Sequence, residues 1–346
     1  MPADLPIAGS CDCHVHVVGP VERYPQRTGR TYTAMPAALD SLRAAAEPLG
    51  VDRFVIVQPS FYGNDNQCLL ETLDRLGERG RGVAAVDAEE ASPGLLRGLG
   101  QRGVRGLRVN LYSESRDRSR QQPNEILEKT ARILPDAGWH VEIVAPLKTL
   151  TAAAAVIERT EETFVIDHYG LPGESSPESD EGRRLLHLAA LPRVWVKLSA
   201  PYRTGNDPMA TAPLAGWLEA LLRVAPDRCL WASDWPYTPA KQGPKGREHG
   251  GPVSPFGLPA SSRRVLRGPA GPRSRGANPD RQPAPPLRLS IRTVTGARRA
   301  GRAKDSRATR SIHPTDMDLK ADPNAINIGL SKSYIDGRFR GNSSKW

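Results

Sequence analysis

Apolar and polar positions along the first 235 residues follow two alternating rhythms. Short runs rich in Val, Ile and Leu fall at 11–17, 54–60, 82–87, 106–111, 140–146, 164–170, 194–200 and 229–235. Runs this continuous read as strands buried on both faces. Between them, at 36–48, 65–79, 93–101, 123–137, 147–159, 181–190 and 212–224, the pattern is helix-like, with the spacing of amphipathic helices. Eight strands with a helix between each successive pair predict a closed parallel barrel, the (β/α)8 TIM barrel. A doubly wound open sheet is the alternative. The chain length and the absence of a glycine-rich first turn favour the barrel.

Polar residues gather at the C-terminal ends of these runs: His14 and His16, Ser60, Asp87, Arg108 and Asn110, His168 and Tyr169, Ser199 with Arg203 beyond it, and Ser233 with Asp234. In a parallel barrel those ends meet at one mouth, where catalytic groups assemble. Strand ends are also polar simply because they meet solvent, which accounts for Ser60 or Ser199 more easily than for the histidines and Asp234.

His14 and His16 stand two residues apart in Cys11-Asp-Cys-His-Val-His-Val17. Strand alternation points both imidazoles to one face with Asp12 below them, and turns Cys11 and Cys13 the other way. Strand eight neighbours strand one in a closed barrel, so Asp234 is expected beside both histidines. There it can act as a general base on water or serve as an ordinary turn residue before Trp235-Pro236. His168 ends the sixth run. Arg108 and Arg203 offer paired N–H donors to a carboxylate, or surface salt bridges. Tyr169 and Tyr202 are less specific and suit packing, and His140 opens its strand, far from the mouth.

Charge separates the chain into two parts. Residues 256–346 hold 19 basic and 6 acidic residues, and residues 1–255 hold 29 basic and 32 acidic. The formal net charge of +10 therefore belongs to the tail. The tail has no aromatic interleaving or nucleic-acid motif, so specific nucleic-acid binding is not expected. Its Arg, Pro, Gly and Ser content predicts disorder. No apolar run is long enough for a membrane span, and no signal peptide is evident. Four cysteines without disulfide or zinc-finger spacing fit a reduced, cytoplasmic protein.

The stretches DCHVHVVGP, GVDRFVIVQPSFYGNDN, GVRGLRVNL, VIDHYG, VWVKLSAPYR and WASDWPYT, in this order, resemble the amidohydrolase superfamily. More narrowly, they resemble its branch of 2-pyrone-4,6-dicarboxylate lactonases and sugar lactonases. The resemblance spans about residues 8–255 and divides the chain into a barrel, 1–255, and a tail, 256–346. It implies a hydrolase that opens a small anionic lactone. Asp234 would be the base, His14, His16 and His168 would polarise the carbonyl, and Ser60, Arg108 and Arg203 would bind substrate. The branch works without a divalent metal, so no cofactor is expected. If zinc is present, His14, His16, His168 and Asp234 are its candidate ligands. Strand four offers Arg108 and Asn110 where zinc members carry a carboxylated lysine or glutamate. Val144 stands near the place of an expected substrate-binding tyrosine. The alternatives are a zinc-dependent amidohydrolase or decarboxylase on the same barrel, and an inactive product with an incomplete barrel. Oligomeric state is not legible.

Members of this branch end in a segment like ILTDNPARLYGF, which the chain lacks. Back-translating Asn278 to Leu289 and reading one base later permits ILTDNPHRLYG. The sequence thus predicts a frame break near Phe256 and loss of a normal eighth helix. Determining the nucleotide sequence around codon 256 tests this. An unbroken frame with other codons over 278–289 overturns it.

Overall fold

The computed structural model describes residues 10–112, 122–135, 138–204 and 212–237. Eight parallel strands pair in sequential order. They are β1 (Ser10–Val15), β2 (Val51–Val57), β3 (Gly80–Ala84), β4 (Val104–Asn110), β5 (His140–Val144), β6 (Thr163–Ile166), β7 (Val194–Leu198) and β8 (Cys229–Trp231). The ring closes just beyond β8. There His16 N–H donates to the Trp235 carbonyl at 2.8 Å, and Asp234 N–H donates to the His14 carbonyl at 3.0 Å. Sequential order with closure is the TIM barrel and excludes the open doubly wound sheet.

The helices are α1 (Leu39–Ala46), α2 (Gln67–Leu76), α3 (Pro93–Gln101), α4 (Pro123–Arg132), α5 (Leu147–Ala152), α6 (Ala154–Arg159), α7 (Asp180–Ala190) and α8 (Ala212–Val224). The segment expected as one helix over 147–159 breaks at Ala153, and the helix expected over 123–137 stops at Arg132. Outward strand residues and the buried helix faces form two continuous outer cores. On α2, Cys68, Leu69, Thr72, Leu73 and Leu76 make one buried stripe against β3. The approach is close because Gly82 has no side chain. A Cβ there would stand 2.7 Å from Leu73 Cδ1.

The strands end earlier than the sequence pattern suggests. Ser60, Asp87, His168, Ser199, Ser233 and Asp234 all lie in the loops just after their strands. In a barrel these loops form the catalytic mouth, so the residues stay at the expected end while the strands shorten. The place of a helix after β8, and the whole of residues 256–346, lie outside the described residues. Among the described residues, no helix is long and apolar enough to cross a membrane.

One local expectation is overturned. Between Asp12 and Val15, β1 carries an extra residue relative to Phe54 and Ile56 of β2. A bulge of this kind breaks the two-residue alternation. Cys11 and Cys13 pack with Val55, Val57, Val83, Val165, Leu230 and Ala232 inside the barrel. His14 joins the same interior. Asp12 instead lines a small cavity outside β1 with Leu42, Ala46, Trp231 and Trp235. Asp12 is therefore not below the histidines, and the cysteines do not face away from them.

Candidate active site

The barrel interior carries a column of buried polar groups. At its lower end the His140 ring fills the space over Gly106, where a Cβ would lie 2.5 Å from the imidazole. His140 Nε2 is 3.8 Å from Glu142 Oε2. Glu142 pairs with Lys197, whose Nζ is 3.4 Å from Asp167 Oδ1 and 3.2 Å from His14 Nδ1. Glu142 and Lys197 are fully buried, and Asp167 nearly so. Isolated charges at such depth would be prohibitive, so they occur as a mutually compensating set.

Above this set the mouth assembles the histidines and Asp234. His16 Nδ1 donates to the Val57 carbonyl at 2.8 Å, fixing its ring. His14 Nε2 and His16 Nε2 are 3.3 Å apart. Asp234 Oδ1 lies 3.6 Å from the first and 3.5 Å from the second. The other oxygen, Oδ2, accepts Arg203 Nε–H at 3.0 Å and the Tyr202 hydroxyl. Oδ1 is buried and, among the described residues, has no hydrogen-bond partner. The His168 ring centroid is 4.8 Å from that of His14, and its Nδ1 meets Ser199 Oγ at 2.8 Å. His168 and Asp234 both adopt left-handed backbone conformations, with φ of 54° and 60°. Side chains other than glycine rarely adopt that region, and where they do they cluster at functional sites.

The electrostatics divide the groups sharply. Burial pushes the Asp234 carboxyl up, but Arg203, His168, His16 and His14 together hold it well below the usual carboxylate range. Burial lowers His168 to about 4. Burial and the Lys197 charge hold His14 well below an ordinary imidazole. Burial works against the Lys197 charge, yet Glu142 and Asp167 raise its pKa overall. At neutral pH the site therefore holds an ionised Asp234 beside neutral His14 and His168 rings.

These groups suit a divalent metal by spacing. Separations of 3.3, 3.5 and 3.6 Å among His14 Nε2, His16 Nε2 and Asp234 Oδ1 approach the ~3.4 Å expected between ligands of a tetrahedral zinc site with bonds of about 2.1 Å. His168 groups instead with His14 and Asp167. The structure thus brings three of the four candidate ligands together as one set and places the fourth beside them.

Arg108 is largely buried. Its Nη1 donates to the Gln58 carbonyl at 2.7 Å, and its Nη2 is 3.6 Å from Asp167 Oδ2. Arg203 is held on Asp234. Ser60 opens a short 3-10 turn, Ser60–Tyr62, after β2. Among the described residues, no hydrogen bond joins its side chain to Asp234 or the histidines. Tyr169 packs in the outer core, while Tyr202 reaches Asp234. Sequence reading did not assign Lys197, Glu142 or Asp167 to the site. The available signal was a charge inside an apolar strand, as in Val-Trp-Val-Lys-Leu and Val-Glu-Ile-Val.

Residues 11–252 match the amidohydrolase family. A 2-pyrone-4,6-dicarboxylate hydrolase of Comamonas testosteroni is 31% identical over 240 residues, covering 66% of this chain and 77% of that protein. A 4-sulfomuconolactone hydrolase of Rhizobium radiobacter is 29% identical over 231 residues, covering 66% of this chain and 76% of that protein. A solved structure from Pseudomonas putida, described as a candidate 2-pyrone-4,6-dicarboxylic acid hydrolase, superposes with a TM-score of 0.60 at 27% identity, covering 77% of this chain and 93% of that one. With an eight-stranded barrel and a buried carboxylate–histidine mouth already in place, the family match identifies the chain as a hydrolase that belongs to the amidohydrolase family.

Proposed function

We propose that the protein opens the ring of a lactone bearing an anionic group, with Asp234 taking the proton of the attacking water. The observation that carries this reading is the two-sided environment of Asp234. Arg203 and Tyr202 occupy one oxygen, which leaves Oδ1 facing His14 and His16 without a hydrogen bond. A fixed, ionised carboxylate with one unengaged oxygen is suited to orient and deprotonate water. The names of both relatives join a ring ester to acidic groups: a sulfo group in one and two carboxylates in the other.

In the proposed reaction the water oxygen bonds to the lactone carbonyl carbon as its proton passes to Asp234 Oδ1. The carbonyl π pair moves onto oxygen, beside the imidazoles of His14 and His168, which stabilise that charge. Collapse re-forms the carbonyl and breaks the ring C–O bond. The leaving oxygen takes the proton back from Asp234. Arg108 and Arg203 make the mouth positive toward the substrate's anionic group, and Ser60 orients the ring. A divalent metal held by His14, His16 and Asp234 would supply Lewis-acid polarisation of the carbonyl.

The test is a direct assay of the purified full chain on 2-pyrone-4,6-dicarboxylate and a panel of neutral aldonolactones, with and without chelator. Turnover of the acidic lactone with little on the neutral ones is expected. Absence of turnover on every lactone overturns the reading. Loss of turnover on chelation, restored by zinc, selects the metal-assisted form.

A further inference from the structure

We infer that Lys197 is a positioning residue that fixes the proton of His14 on Nε2, and so holds the His14–His16–Asp234 set in a form that opposes metal binding. Two chains of hydrogen bonds, starting from opposite ends, lead to the same placement.

The first starts at Val57. Its carbonyl only accepts, so the 2.8 Å contact requires a proton on His16 Nδ1. With its ring proton engaged there, His16 offers Nε2 as an acceptor. The 3.3 Å contact with His14 Nε2 is a hydrogen bond only when His14 supplies the proton.

The second starts at Lys197. An ammonium has donors and no acceptor. Its Nζ sits 3.2 Å from His14 Nδ1 in hydrogen-bonding geometry, so that nitrogen must carry the lone pair. Asp167 Oδ1 also lies 3.2 Å from Nδ1, where it would favour the opposite tautomer. Glu142 Oε1 lies 3.6 Å from the same nitrogen, but among the described residues neither oxygen takes a hydrogen bond. Glu142 and Asp167 keep Lys197 in place and compensate its charge.

The result is a directed relay from Lys197 to His14 to His16 to the Val57 carbonyl, with one proton on each link. The spacing of the three mouth ligands fits a metal, but His14 then carries hydrogen on the nitrogen that would have to bind it. Loading zinc requires that proton to leave or to move to Nδ1, against the Lys197 ammonium. Neighbours of this kind change metal affinity by about 10- to 100-fold. The assignment concerns the resting site and does not depend on which lactone is opened.

The experiment uses the full chain labelled with 15N-histidine and a long-range 1H–15N correlation spectrum. His14 is identified by the signals absent from His14→Gln. Wild type is expected to show a protonated Nε2 and an unprotonated Nδ1 on His14. A proton on Nδ1 overturns the inference whatever the variants do. In Lys197→Met the proton is expected to move to Nδ1. Zinc alone, titrated without substrate, should bind at least about tenfold more tightly than to wild type. A proton remaining on Nε2, or unchanged zinc affinity, overturns the role of Lys197. Should Lys197→Met fail to fold, the double variant Lys197→Met/Glu142→Gln relieves the uncompensated carboxylate and is read in the same way.

Discussion

Replacing Asp234 with asparagine is expected to lower kcat/KM for lactone opening about 10³-fold while the substrate Kd stays the same or tightens. The direction follows from what holds the side chain. Arg203 and the Tyr202 hydroxyl both donate to Oδ2, so the asparagine oxygen will stay on that side. Its NH₂ then takes the place of Oδ1 and faces His14 and His16. A donor replaces the unengaged oxygen of Asp234, and water loses its base without loss of shape. Arg203, freed of its counter-charge, attracts an anionic substrate at least as strongly as before. Steady-state kinetics with calorimetric Kd values separate the two effects. Wild-type activity in this variant would eliminate Asp234 as the base.

The second large effect is on stability. Asp12→Asn is expected to stabilise the fold by about 3 kcal/mol at pH 8. The bulge in β1 turns Asp12 to the outer seam, where burial raises its pKa from 3.8 to about 6. A folded pKa above the unfolded one means that the ionised form is disfavoured by folding. Its contribution is most favourable below pH 3.8 and is lost as pH rises through 6. An asparagine oxygen still accepts the Ser233 N–H and His14 N–H that Asp12 Oδ1 accepts at 2.9 and 3.3 Å, without that loss. Urea denaturation at pH 8, 6 and 4 should show an advantage for the variant that shrinks steadily as pH falls. A variant equally destabilised at all three values would contradict the cause given for the shifted pKa.

The fold was legible because a parallel barrel writes each strand as a nearly unbroken apolar run, with a periodic helix after it. The mouth residues were legible because they follow those runs directly. What escaped was of two kinds. Alternation arguments assume unbroken pairing, and nothing in Cys13-His14 announces the extra residue that exchanges the faces of Asp12 and the cysteines. Lys197, Glu142 and Asp167 sit where strands are expected to be apolar. Each makes sense only beside partners 25 or more positions away in sequence. Tyr202 likewise looked like a packing residue until Asp234 was placed against it.

The bonds that close the ring carry a further consequence. Asp234 N–H binds the His14 carbonyl, and His16 N–H binds the Trp235 carbonyl. The joint between the first and last strands is therefore made by the main chains of His14, His16, Asp234 and Trp235, three of which carry the side chains of the proposed chemistry. Fraying of the three-residue β8 disperses the base and the imidazoles in the same event. Circular permutants should divide accordingly. New termini in loops remote from this joint leave the chemistry assembled, whereas a cut between Trp231 and Asp234 removes architecture and activity together.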